Sequence, residues 1–137
     1  MPMGKVAIIG GGISGIMLSY RLKQKGLGST IFEKSRGVGG RMATKRWKKK
    51  SYDHGCQYFT VTKPETISLL HELETENVVK TWSRGFPNLS GSQQGDQQNR
   101  WISRKGMTAV AKHLSKNLDI NKQTQIVRIN YDNNQWS

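Results

Sequence analysis

An α/β fold with a parallel sheet is predicted by three observations in this 137-residue chain. A short continuous apolar run, Val6-Ala7-Ile8-Ile9, leads directly into glycines at Gly10, Gly12 and Gly15. Apolar residues at near-helical spacing follow, Ile13, Ile16, Met17, Tyr20 and Leu22. A second run, Ser29-Thr30-Ile31-Phe32-Glu33, ends in an acid. Strand, glycine turn, helix and strand within about thirty residues form the βαβ unit in which the pattern G-x-G-x-x-G acquires meaning.

Each element has a local cause. A run without polar alternation suits a parallel strand covered on both faces. The helix is expected to stop at Gly26 and Gly28, since glycine accepts the left-handed conformation that ends a helix. Further on, Pro64 to Glu76, with Ile67, Leu69, Leu70 and Leu73, reads as an amphipathic helix begun by proline and acid. Ser83 to Asn99 is polar and turn-rich and predicts a loop. Its flanking Trp82 and Trp101 are expected to pack rather than to stack on a ligand. A helix over Met107 to Asn117 precedes Leu118-Asp119-Ile120, read as a third parallel strand. Gln125 to Asn130 and Gln135-Trp136 then read as the start of a β-meander.

The chemistry of the βαβ unit is specific. Gly10 permits the tight turn, Gly12 lets backbone approach a pyrophosphate, and Gly15 allows helix and strand to pack closely. The helix start supplies N–H groups and a partial positive charge to an anion, which makes Ile13 and Ser14 candidate binding residues with the three glycines. Glu33, with Lys34 beside it, stands eighteen residues past Gly15, where a carboxylate accepts ribose hydroxyls and repels a 2′-phosphate. The segment EKSRGVGGR then places Gly39, Gly40 and Arg41 a short distance beyond that acid. Two flexible residues before a guanidinium suit a loop that folds back over a pyrophosphate and binds two oxygens at once.

Composition bounds the rest. Lysine and arginine number 22 against 9 acids, a net charge of +13, with 34% hydrophobic residues. Such an excess favours polyanions, whether nucleic acid, anionic membrane or phosphate-bearing ligands, without choosing among them. Part of it is local: Arg41 to Lys50, RMATKRWKKK, holds six basic residues and no acid, a pattern expected of a solvated hairpin or loop. The single cysteine, Cys56, excludes an internal disulfide or a multi-cysteine metal site. Val6 to Leu18 contains three consecutive glycines and no cleavage pattern, which argues against an export signal. No apolar stretch reaches membrane-spanning length. A cytoplasmic protein is expected, with no membrane or metal partner, and with a small molecule favoured over nucleic acid as its ligand.

The motifs IIGGGISG, FEKSRGVGGRMAT, YDHGCQYFT and GMTAVAKHL together resemble the FAD-dependent amine-oxidase superfamily, most closely its renalase-like oxidoreductases. The resemblance implies FAD as cofactor in a Rossmann-like fold, with a small-molecule amine or reduced nicotinamide as electron donor. It further implies that Ser14 and Arg41 contact the pyrophosphate and Glu33 the adenine ribose. Gln57 and Tyr58 would lie beside the flavin, and Ile126 would offer its backbone to the adenine. By the same likeness, residues 1–62 and 106–137 belong to the FAD-binding region and 63–105 to a partial cap. Cys56 stands where the family usually has alanine, and Ser103-Arg104-Lys105 departs from its usual Gly-x-Pro. Cys56 is expected to be inert and His54 to be a turn residue.

Members of that family are much longer, so the chain is expected to be a truncated form. The Val6–Ile9 strand would then lie at an open edge and favour self-association, unless a second part is supplied. The resemblance assigns no catalytic residue here. Two functional classes stay open: the FAD-binding portion of a flavin oxidoreductase, silent in this form, and a non-catalytic nucleotide- or polyanion-binding module.

Overall fold

The computed structural model describes residues 6–85, 90, 96–133 and 135–137. In chain order the elements are β1 (Val6–Ile9), α1 (Ile13–Gln24), β2 (Ser29–Glu33), a 3-10 turn (Gly40–Met42), β3 (Thr44–Trp47), β4 (Lys50–Asp53) and α2 (Pro64–Thr75). There follow β5 (Lys80–Arg84), β6 (Asn99–Ile102), α3 (Thr108–Leu114), β7 (Asp119–Lys122), β8 (Tyr131–Asp132) and β9 (Gln135–Trp136). The chain divides into two compact units, one of Met1–Gly40 with Leu114–Ser137 and one of Arg41–His113.

The first unit is built on a three-stranded parallel sheet in the order β1-β2-β7. Central β2 carries the fully buried Ile31, and α1 lays the fully buried Ile16 toward the same core. The predicted third parallel strand is β7, paired with β2 from Thr30↔Asp119 to Glu33↔Lys122. Helix α1 ends as the sequence requires: Gly26 takes φ +72° and donates its N–H to Lys23 O, while Leu27 N–H donates to Leu22 O. This paired closure is a Schellman motif, and only glycine enters its left-handed position without strain.

Strand β1 lies at the open edge expected for it, not covered on both faces as its apolar run alone suggests. Only Ile8 is buried, while Val6 is 38% and Ile9 55% exposed. The cause is position: β1 is an edge strand, bonded to β2 alone among the described residues. Two further bounds shift. Helix α3 stops at Leu114, and Ser115-Lys116-Asn117 forms a turn in which Leu118 N–H donates to Ser115 O; side chains that compete for backbone partners favour such turns. Gln125–Asn130 lies outside any strand. The hairpin forms instead between β8 and β9, closed by reciprocal Asn130–Ser137 backbone bonds and by Tyr131 and Trp136, whose ring centroids are 4.6 Å apart.

In the second unit α2 buries Leu69, Leu70 and Leu73, the predicted apolar face, while Ile67 is exposed. Strand β5 pairs with β6 through a bulge between Thr81 and Ser83. The register shifts at Trp82, which is 53% exposed and packs against the Tyr58 ring rather than into the core. Trp101 is buried as expected. The predicted loop over residues 83–99 is shortened by β5 and β6, and its residues 86–89 and 91–95 lie outside the described residues.

A polar network fastens three segments of this unit. Thr44 Oγ1 donates to Asp53 Oδ1 at 2.6 Å, across the β3–β4 pair. Met107 N–H donates to the same oxygen at 2.9 Å, and Thr108 N–H donates to Thr44 Oγ1 at 3.0 Å. The Thr108 hydroxyl answers by accepting Thr44 N–H and donating to Met42 O. The first backbone N–H groups of a helix have no partner inside it, and here two side chains from a hairpin supply one. A Cβ on Gly106, at φ +83°, would meet the Thr44 side chain, so close approach requires glycine there.

Asp53→Ala should therefore leave Met107 N–H without its acceptor and lower stability by about 1–3 kcal/mol, whereas Asp53→Asn keeps an oxygen in place and should cost much less. Urea unfolding of both variants checks the pair; equal losses would mean that charge, not acceptance, is what the site needs.

Candidate functional site: the glycine turn

Sheet pairing continues one residue beyond β1, because Gly10 N–H donates to Phe32 O at 2.9 Å. There the chain must turn sharply. Gly10 takes φ +100°, a conformation open to glycine and strained for other residues. A Cβ on Gly15 would run into Gly10 O and meet Ile8 Cγ2 at 3.2 Å, so helix and strand pack as closely as the motif predicts. Gly12 is the N-cap of α1, with extended backbone and no side-chain cap. No acid occupies the first turn of α1, which leaves the positive end of the helix for an anion.

Glu33 closes the turn from β2. Its Oε2 accepts Gly11 N–H at 2.6 Å and its Oε1 accepts Ser35 N–H at 2.7 Å. The side chain is buried, only 7% exposed. Burial pushes the carboxyl up, but the Ser35 and Gly11 N–H groups, the Ser35 hydroxyl and the Lys34 charge outweigh it and hold the group below the ordinary glutamate range. Gly11, the middle glycine that the motif leaves unspecified, thus takes part in the geometry through its backbone N–H. A Cβ there would come within 3.1–3.2 Å of the Glu33 carboxylate arm. The only signal for it in the sequence is a third consecutive glycine.

The second glycine pair returns to this turn. Gly39 N–H donates to Gly11 O at 2.8 Å, and Gly12 and Gly39 form an isolated parallel bridge. Gly40, at φ +52°, would place a Cβ 3.1 Å from Gly12 Cα. Two glycine loops therefore lie backbone to backbone, with Glu33 beneath one of them. Lys34 is exposed. After β7 the chain passes the same acid, since Thr124 N–H donates to Glu33 O at 2.9 Å and Gln123 N–H to Ser35 O at 3.1 Å. Ile126, two residues on, is 36% exposed. The first unit thus gathers Gly10, Gly12, Ile13, Ser14, Gly15, Glu33, Lys34, Gly39 and Gly40 around one turn.

Arg41, Gln57 and Tyr58 belong to the second unit. The Arg41 side chain is exposed, and its carbonyl accepts Cys56 N–H at 2.8 Å. A Cβ on Gly55 would strike that carbonyl, so the glycine of DHGC fixes the backbone of GGR. Tyr58 lies 5.8 Å from Trp82, centroid to centroid, and Gln57 is exposed. The Cys56 thiol donates to Tyr58 O; burial and then the Asp53 charge push its pKa up, as suits an unreactive cysteine. Glu72, Glu76 and His113 also meet, with ligand atoms within 4.8 Å of one another and His113 Nδ1 3.6 Å from Glu76 Oε2.

A parallel βαβ unit with a braced glycine turn at the start of its helix defines a Rossmann-like dinucleotide-binding domain. Residues 8–73 match the family described as NAD(P)-binding Rossmann-like domain. Protoporphyrinogen oxidase 2, chloroplastic/mitochondrial, of Arabidopsis thaliana is 38% identical over 69 residues, 50% of this chain and 14% of that protein. A 1-hydroxycarotenoid 3,4-desaturase of Flavobacterium sp. is 38% identical over 71 residues, 52% of this chain and 14% of that protein. In fold, the chain matches the structure of BexE over 95% of its own length and 26% of that chain, with TM-score 0.62 and 18% identity. Over residues 8–73 the chain is therefore similar to the Rossmann-like domain, and the relatives that it matches there are oxidases and desaturases of the FAD-dependent amine-oxidase superfamily. It spans about one seventh of the length of these two relatives. No helix among the described residues is long and apolar enough to cross a membrane.

Glu33→Gln would set an amide NH2 against a backbone N–H, donor against donor. The expected loss is about 1–3 kcal/mol of stability near neutral pH. Because the folded pKa of Glu33 is lowered, the brace is fully present above the ordinary glutamate range and is lost as pH falls through the lowered value. Denaturant unfolding from pH 7 downward should therefore show parent and variant converging in acid. A difference independent of pH would contradict the brace.

Proposed function

We propose that this chain is the FAD-binding portion of a flavin-dependent oxidoreductase. The observation that carries the reading is the Glu33-braced turn, which presents the uncapped start of α1 beneath the Gly39-Gly40 loop. A carboxylate has about four lone-pair sites. Two of those on Glu33 accept backbone N–H groups and a third the Ser35 hydroxyl, which leaves one for a ribose hydroxyl of an adenosine.

In this reading the turn of Gly10, Gly12, Ile13, Ser14 and Gly15 receives the pyrophosphate, Arg41 adds a guanidinium to it, and Lys34 stands beside the ribose acid. Gln57 and Tyr58 face the flavin, and Ile126 offers backbone to the adenine. Bound FAD supplies the hydride acceptor for a small-molecule amine or reduced nicotinamide donor, while the protein binds, orients and excludes water. The motifs GGRMAT and DHGCQYFT support the renalase-like subgroup. No catalytic acid or base is assigned among these residues, so binding without turnover is proposed for this stretch by itself. The open edge of β1 supports self-association or pairing with a strand supplied from elsewhere. A cytoplasmic location, suggested by the single cysteine, belongs to the same reading.

Fluorescence titration of the chain should show quenching by FAD at concentrations where NADP has no effect, because the acid repels a 2′-phosphate. Equal affinity for the two would remove the ribose assignment. Arg41→Lys keeps the charge and loses the two-pronged geometry, and should lower the flavin retained after gel filtration. Unchanged retention would leave Arg41 as one more solvated cation.

A further inference from the structure

The basic run from Arg41 to Lys50 folds as the hairpin β3–β4, and its register sorts the side chains onto two faces. Thr44 with Asp53 and Arg46 with Ser51 share one face, whose base is tied to Met107 and Thr108 by the polar network. Lys45 with Tyr52 and Trp47 with Lys50 share the other. All four are exposed, Trp47 at 59% and Tyr52 at 48%. Aromatic ring and ammonium thus alternate along each strand, at about 6.8 Å, and across the pair, at about 5 Å. The result is a two-by-two checkerboard.

The turn extends it. Lys48 and Lys49 take φ 45° and 64°, the left-handed pair that a two-residue hairpin turn demands and that asparagine and glycine ordinarily fill. Lys48 Nζ stands 4.6 Å from the Trp47 ring centroid. No acid occurs between Lys34 and Tyr52. Mutual repulsion of these cations, left-handed lysines and two solvated rings all weigh against the hairpin in isolation. A polyanion that also carries flat apolar faces would relieve the repulsion and cover the rings.

We propose that this outward face binds single-stranded nucleic acid. Bases stack on Trp47 and Tyr52, and phosphates are neutralised by Lys45, Lys48, Lys49 and Lys50, the combination of stacking platform and cationic track by which single strands are held. An anionic membrane fits less well, since the tip is two lysines with no apolar wedge to enter the headgroup boundary.

The test is fluorescence anisotropy of a labelled oligothymidylate of about 12 nucleotides with the 137-residue chain, starting at about 50 mM salt. Binding is expected, weakening linearly on a log–log plot of affinity against salt. Trp47→Ala with Tyr52→Ala should weaken it about tenfold or more at an unchanged salt slope, since stacking carries no charge. Trp47→Phe with Tyr52→Phe, which keeps the rings, should retain most of the affinity and guards against mere loss of the hairpin. Lys48→Gln with Lys49→Gln should flatten the slope by about 0.7 for each phosphate no longer neutralised. No binding at the lowest salt would overturn the proposal. So would equal affinity of the alanine variant and the parent, or tighter binding to vesicles of phosphatidylserine and phosphatidylcholine than to the oligonucleotide.

Discussion

A buried carboxylate with two backbone N–H donors on it is the contact from which the first unit is organised. Glu33 sits at the end of the central strand, and Gly11 sits in the turn between the edge strand and α1; their 2.6 Å bond joins sheet to turn at the point where the chain reverses. A charged acceptor strengthens such a bond, and burial makes its loss expensive. The neighbouring constraints follow from it. A side chain on Gly11 would crowd the carboxylate arm, which would have to shift to admit it. Gly39 can return to Gly11 O only because the turn is held in place, and the chain after β7 is registered against Glu33 and Ser35 by backbone bonds.

The second unit solves a similar problem with a different set of side chains. Thr44, Asp53 and Thr108 come from three separate motifs, GGRMAT, DHGCQYFT and GMTAVAKHL, and meet in one network. Gly106 opens the space for it. The residues that make those motifs distinctive are therefore partly residues of assembly. Such positions are easily mistaken for binding residues when motifs are read as strings.

The βαβ unit was legible in the sequence because each of its signals is local: an apolar run, glycines at fixed offsets, a helical period and an acid at strand end. Helix α2 and strand β7 were legible for the same reason. Gly11 was not, since its importance depends on a carboxylate twenty-two residues away in the chain, and nothing local separates it from its neighbours. The apolar run of β1 reads by itself as a covered strand, whereas Ile9 is exposed because β1 pairs with β2 alone among the described residues, the open edge expected for it. The β8 strand was displaced from its expected place because Tyr131 and Trp136 find each other across a hairpin, a pairing that β-propensity along Gln125–Asn130 cannot reveal.

Charge was the least informative feature as composition and the most informative once given a register. Six basic residues in ten predict only a solvated surface; two strands paired from Thr44↔Asp53 to Trp47↔Lys50 turn the same residues into a patterned face. The assignment of FAD rests instead on the braced glycine turn, and amide chemical-shift mapping on addition of FAD tests it most directly. If the turn holds the pyrophosphate, the amides of Gly10 to Gly15 and of Gly39 and Gly40 move together and saturate. Amides of the turn that stay fixed while those of Lys45 to Lys50 move would contradict it, and would assign the ligand to the basic hairpin instead.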